Sequence, residues 1–222
     1  MKRALLLLAL LACTRKPPVP IVNWHAVAAQ GDEFTVSEAQ FTAQLDWLQQ
    51  QGWQSVPLRQ ALQPRPHAVV LTFDDGTADA LSVVAPALQR HGLRGAFFIV
   101  TGFVGKPGYL SWDGVRALAA MGMEIGSHSV DHARLPDLAG DAARRELIDS
   151  RAALEAQLHA PVELLAYPYN AVRGGLTGLV REAGYKLAVA GVVHGTDDPL
   201  KLYRISVSKG TDLPAALERY AR

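Results

Sequence analysis

The sequence predicts an α/β fold of parallel βα units, with eight candidate strands, a number that suits a barrel. Three observations carry that expectation. Short apolar runs, Ala68–Phe73 and Ala96–Thr101 among them, alternate with longer stretches of helical periodicity. Four of those stretches close on a glycine, at Gly52, Gly92, Gly122 and Gly184. The run Ala68-Val69-Val70-Leu71 has no polar alternation, as in a strand covered on both faces, and it leads directly into Thr72-Phe73-Asp74-Asp75-Gly76.

Taken in order, the chain opens with a targeting pattern. Lys2-Arg3 precedes the apolar stretch Ala4 to Ala12, which is too short to span a bilayer. Leu10-Leu11-Ala12-Cys13 resembles a bacterial lipoprotein cleavage box, and Cys13 is the one cysteine, so no intramolecular disulfide can form. The expected division is a signal peptide over 1–12, a tether over 13–19 and a single catalytic domain over 20–222. Cys13 would then carry a lipid anchor to the membrane. Thr14 in place of Asp after it resembles outer-membrane sorting, on the periplasmic side in a Gram-negative cell envelope.

Ile21–Trp24 is the first strand. Ser37 with Gln40 forms a capping box for a helix whose Phe41, Leu45 and Leu48 share one face. Further strands are expected at Gln54–Pro57, Ala68–Phe73, Ala96–Thr101, Met123–Ser127, Glu163–Ala166, Lys186–Ala190 and Arg204–Val207. Further helices are expected at Asp79–His91, Trp112–Met121, Asp141–His159, Leu176–Ala183 and Leu213–Arg222. With a formal net charge of +1, nothing points to nucleic acid or an anionic surface as partner.

Two adjacent carboxylates, Asp74 and Asp75, at the C-terminal end of a buried strand are costly to bury without a cation. That end of an α/β sheet is also where active sites sit. A second strand, Met123–Ser127, runs into His128-Ser129-Val130-Asp131-His132. Two imidazoles and one carboxylate form a facial triad that suits Zn²⁺ or another first-row divalent ion and leaves a position open.

These segments resemble the first two motifs of the metal-dependent polysaccharide deacetylases, carbohydrate esterase family four. Ala166-Tyr167-Pro168-Tyr169-Asn170 resembles the third, and order and spacing follow the family from about Pro20 to Arg222. The resemblance implies a distorted, incomplete (β/α) barrel. It implies Asp75, His128 and His132 as metal ligands and Asp74 as the catalytic base, where the bare reading of Asp74 also allows a helix-capping carboxylate. It implies an oxyanion donor at the backbone N–H of Tyr169, with Tyr167 and Pro168 of the same motif as substrate-binding residues and Pro168 fixing the turn.

Two departures lie within the third motif. Ala166 replaces an arginine common in the family and steers toward the branch of secreted poly-β-1,6-N-acetylglucosamine deacetylases. Asn170 stands where glycine is usual, and asparagine is the next most tolerant of positive φ. The family's late histidine motif is missing. In the permuted branch, a strand-ending histidine near the N-terminus resembles His25, which makes His25 the expected general acid, with His194 the late alternative. Arg204 resembles an arginine of the same branch; either it holds a pocket carboxylate such as Asp74, or it lies exposed on an edge strand. Trp24 and Trp112 are expected to stack on sugar, with a core or staple role open for Trp112.

The expected activity is therefore metal-dependent removal of N-acetyl groups from an amino-sugar polymer, poly-β-1,6-N-acetylglucosamine or peptidoglycan-like, releasing acetate. Alternatives are an O-acetyl or xylan esterase with the same site, and a catalytically weak carbohydrate-binding lipoprotein.

Overall fold

A computed structural model, describing residues 18–191 and 198–221, arranges the chain as one barrel wrapped by helices. The strands are β1 (Ile21–Trp24), β2 (Gln54–Ser55), β3 (Ala68–Phe73), β4 (Ala96–Ile99), β5 (Glu124–Ser127), β6 (Leu164–Ala166), β7 (Leu187–Ala190), β8 (Leu202–Tyr203) and β9 (Ile205–Ser206). Their order is β8-β7-β6-β5-β4-β3-β1-β9, with β2 paired to the start of β3, and every pair is parallel. A single residue, Arg204, separates β8 from β9. The segment 202–206 therefore pairs with β7 at one end of the sheet and with β1 at the other, which nearly closes the barrel.

The expected strand Arg204–Val207 is thus broken. Arg204 N donates to Ala190 O, whereas Val207 N donates to Asn23 O, so the chain changes partner strand and must bend between them. The expected strand Gln54–Pro57 shortens to β2 and gives way to a 3₁₀ turn at Leu58–Gln60. The Leu58 N–H at that turn is taken up by the Glu124 carboxylate.

The helices are α1 (Glu38–Gln50), α2 (Ala85–Arg90), α3 (Trp112–Ala120), α4 (Gly140–Leu158), α5 (Leu176–Glu182) and α6 (Leu213–Ala221). Ser37 caps α1 through Gln40 N, and Ser111 caps α3 through Gly114 N. The helix expected over Asp79–His91 starts as a π-helical stretch, Ala80–Val84, before α2. Pro86 has no N–H for the preceding turn, and a π-bulge absorbs such a defect.

Strand alternation sorts the core into two layers. Ile21, Val70, Phe98, Leu164, Ala166 and Val189 fill the barrel interior. Val22, Trp24, Leu71, Phe73, Phe97 and Leu165 face outward under helices that contribute Phe41, Leu45, Leu118, Leu147 and Val180. With both faces covered, all six residues of β3 are buried.

Candidate active site

Chemistry collects at the C-terminal ends of the strands. His25 follows β1, Asp74 and Asp75 follow β3, His128 follows β5, Tyr169 and Asn170 lie in the turn after β6, and Arg204 sits at the β8–β9 bend. Together with Asp32, Phe34 and His132 they line one pocket of about 380 Å³.

The backbone is bent to bring them there. Asp75, Ser129, His132, Tyr169 and Asn170 all take positive φ, between 53° and 72°. Strain of this kind persists only where surrounding contacts over-determine it, and it concentrates at functional sites. At Asp75 the φ of 72° turns the chain immediately after β3, so that both neighbouring carboxylates enter the pocket.

Asp74 is buried, and the Arg204 guanidinium grips it with Nη1 2.8 Å from Oδ1 and Nη2 2.5 Å from Oδ2. Burial works against the charge on Asp74, but Arg204 overrides it and holds the carboxyl well below its ordinary range. Asn23 ties the pair to the barrel. Its Oδ1 accepts from Arg204 Nη1 at 2.9 Å and from the Thr72 hydroxyl at 3.2 Å. Asn170 Oδ1 accepts from Arg204 Nε and Nη2 at 2.9 and 2.8 Å. A Cβ at Gly191 would lie 2.7 Å from Asn170 Cγ, so glycine there makes room for the asparagine.

Asp75, His128 and His132 offer three ligand atoms within 4.8 Å of one another. Oδ1 of Asp75 lies 3.5 Å from His128 Nε2 and 3.6 Å from His132 Nε2. Burial pushes the His128 pKa down to about 4, so the ring is neutral near pH 7. Its Nδ1 donates to Ala166 O at 2.8 Å, which leaves the Nε2 lone pair facing the pocket. Burial, and then the charge on Asp74, push Asp75 up to about 6. Two neutral imidazoles and a carboxylate short of positive charge are a donor set that fits a first-row divalent cation.

His25 approaches the same carboxylate oxygen of Asp74 as His128, whose Nε2 lies 3.7 Å from Oδ2. Its Nε2 is 3.9 Å from Asp74 Oδ2, and its Nδ1 is buried without a hydrogen-bond partner among the described residues. The ring packs on Phe34, centroids 5.0 Å apart. Tyr169, 63% exposed, packs on His132 at 4.7 Å.

The family model described as polysaccharide deacetylase matches residues 61–188, more than half of the chain. The chain belongs to the polysaccharide deacetylase family. It is a hydrolase that deacetylates polysaccharide. The Bacillus subtilis (strain 168) protein YxkH, named for the same family, is 26% identical over 208 residues, 89% of this chain and 74% of that one. The Streptococcus pyogenes deacetylase PplD in complex with acetate superposes with a TM-score of 0.82 at 24% identity, over 92% of this chain and 98% of that one. A de-N-acetylase from Aggregatibacter actinomycetemcomitans gives 0.75 at 17% identity, over 90% and 98%. Both structural likenesses concern the fold.

Several expected contacts of this deacetylase fall elsewhere. Trp24 is fully buried between Phe41 and Phe73, and its Nε1 donates to Gln44, so it offers no face to a sugar. The reason is that its strand position faces outward, beneath α1. Trp112 packs against the core at the start of α3 and does not line the pocket. The Tyr167 ring is buried with its hydroxyl donating to Leu200 O, and Pro168 is buried beside it. Those two residues shape the turn; only Tyr169 and Asn170 reach the pocket from it. Arg204 is 1% exposed and holds Asp74, which removes the edge-strand alternative. Cys13 and His194 lie outside the described residues.

Asn23, Asp32 and Phe34 are pocket or support residues that motif reading passed over. Asn23 carried a signal, a polar residue inside Ile21-Val22-Asn23-Trp24. Asp32 and Phe34 carried none, because they lie in an irregular loop whose position depends on its anchors. Asp32 Oδ1 accepts from Phe34 N, Thr35 N and Thr35 Oγ1, and Lys209 donates to Gly31 O.

Proposed function

We propose that this deacetylase removes N-acetyl groups from an amino-sugar polymer, poly-β-1,6-N-acetylglucosamine or a peptidoglycan-like chain, and releases acetate. Asp75, His128 and His132 would hold a divalent cation, zinc or another first-row ion. The observation that carries this reading is the juxtaposition, in one pocket, of that donor set with a second carboxylate kept ionised by Arg204.

When bound, a divalent cation supplies a Lewis acid and lowers the pKa of water to about 7. Asp74 accepts the proton of the attacking water. Its charge is available near neutral pH because Arg204 stabilises it, and Asn23 and Asn170 fix the Arg204 fork. The Tyr169 N–H is the donor we assign to the developing oxyanion. His25 protonates the departing nitrogen, which an amine leaving group requires and an ester does not. That requirement supports N-acetyl over O-acetyl substrates, as does the likeness to a protein named a de-N-acetylase.

His25 marks the side on which the sugar leaves. Phe34, exposed and packed on His25, is therefore the aromatic surface next to the sugar ring. We further propose that a lipid on Cys13 holds the enzyme at the cell envelope, near such polymers.

The deciding experiment measures acetate released from poly-β-1,6-N-acetylglucosamine, peptidoglycan, chitin oligomers and acetylxylan by the metal-loaded enzyme. Release from one of the N-acetylated polymers supports the reading. Release from acetylxylan alone would replace it with an esterase.

A further inference from the structure

We propose that Glu146, on α4, is a positioning residue for the His128–His132 loop and sets the affinity of the site for its cation. This rests on Asp75, His128 and His132 being the cation's ligands.

The loop has to do something unusual for a strand exit. Four residues after His128 it must deliver His132 back toward Asp75, and it does so with φ of 68° at Ser129 and 56° at His132. Neither residue is glycine, so the turn is held by contacts and not by intrinsic preference. Left-handed backbone at Ser129 aims the next two N–H groups the same way, forming a small anion-binding concavity. Glu146 Oε2 fills it, accepting from Val130 N at 2.9 Å and from Asp131 N at 3.0 Å. A carboxylate on two backbone N–H groups is a charge-assisted pair of hydrogen bonds.

A second brace comes from the same helix face one turn later. Ser150 Oγ accepts from Ser127 Oγ at 2.8 Å, and Ser127 Oγ in turn accepts from Ser129 N at 3.1 Å. Positions 146 and 150 are i and i+4 on α4 and point to the same neighbour. The opposite side of the loop is closed by Thr101 N to Ser129 O and Gly102 N to Val130 O, at 3.1 and 2.9 Å. A Cβ on Gly102 would come within 2.7 Å of Val130 O, so the approach admits glycine only. Of these contacts, Glu146 alone places one side-chain atom on two N–H groups of the loop.

The test separates reach from charge. Both N–H groups use one oxygen of Glu146, so the amide oxygen of Glu146→Gln can accept both with no charge. Glu146→Asp keeps the charge and is one methylene too short. Zinc affinity of the full chain is measured by chelator competition, alongside the melting temperature of the metal-free protein and amide exchange at Val130 and Asp131. Glu146→Gln should bind zinc within a few-fold of wild type. Glu146→Asp and Glu146→Ala should bind about 10–100-fold more weakly, the range for lost ligand-orienting partners, with faster exchange at both amides. Asp149→Ala, exposed on the same helix, should change neither reading.

Wild-type affinity and wild-type exchange in both Glu146→Asp and Glu146→Ala would overturn the proposal. Tighter binding by Glu146→Asp than by Glu146→Gln would replace bracing with a long-range charge effect. Absence of zinc binding by the wild type would instead remove the ligand assignment, and the exchange rates would still decide whether Glu146 braces the loop.

Discussion

Arg204 and Asp74, 130 residues apart, form a two-pronged ion pair with both side chains 1% exposed. The pair exists because the barrel closes. Arg204 sits at the bend where the chain leaves β7 for β1, and Asp74 follows β3, the other neighbour of β1. One contact therefore locks the closure of the fold and sets the charge of the carboxylate assigned as base.

Removing one partner of a buried pair leaves an uncompensated charge and costs about 3–5 kcal/mol. Arg204→Met should lose stability on that scale in denaturant unfolding of the metal-free protein. Adding Asp74→Asn should recover much of it, since both charges are then gone. The folded-state pKa of Asp74 lies below its ordinary 3.8, so the pair's contribution is complete above about pH 3.8 and is lost as pH falls toward the depressed value. The stability gap between wild type and Arg204→Met should accordingly narrow in acid. A gap independent of pH would assign the cost to lost packing.

Asp75→Ala, His128→Ala and His132→Ala should each abolish cation binding and activity, because three ligands leave no spare. Metal content by mass spectrometry checks this, and full stoichiometry in any variant removes that residue from the site. Asp74→Asn should keep the cation and lose activity. Near-normal turnover in that variant would dismiss Asp74 as base.

His25→Ala should lower kcat by about 10²–10⁴-fold on an N-acetyl substrate with metal content intact. The loss should be smaller on an activated acetyl ester, whose leaving group needs no proton. His194→Ala should be close to neutral on both. The reverse pattern would move the acid late in the chain and weaken the assignment to the poly-β-1,6-N-acetylglucosamine branch.

Cys13→Ser should block lipid attachment and move the protein out of the detergent phase. Unchanged partitioning, with an unchanged mass of the processed N-terminus, would end the anchor proposal.

Asp74, Asp75, His128 and His132 were legible in the sequence as candidates because each pair sits in one short segment at the end of a strand pattern. The strands that carry them are specified by local pattern, and a (β/α) chain brings its strand ends to one face whatever the details of register. The parallel barrel itself was legible for the same reason, from apolar runs and glycine-closed helices. Three things were decided by the tertiary structure alone. Trp24 lies beneath α1, away from the pocket, because a strand's alternation names two faces without saying which one looks into the barrel. Arg204 meets Asp74 and Asn170 because the two ends of the sheet come together, a contact no local spacing encodes. Glu146 reaches Val130 and Asp131 because α4 packs across the loop after β5, and its position on the helix reads, in sequence, as one charge among many on a solvated face. Local preference acts over a few residues, whereas these contacts depend on closure and packing across the whole chain.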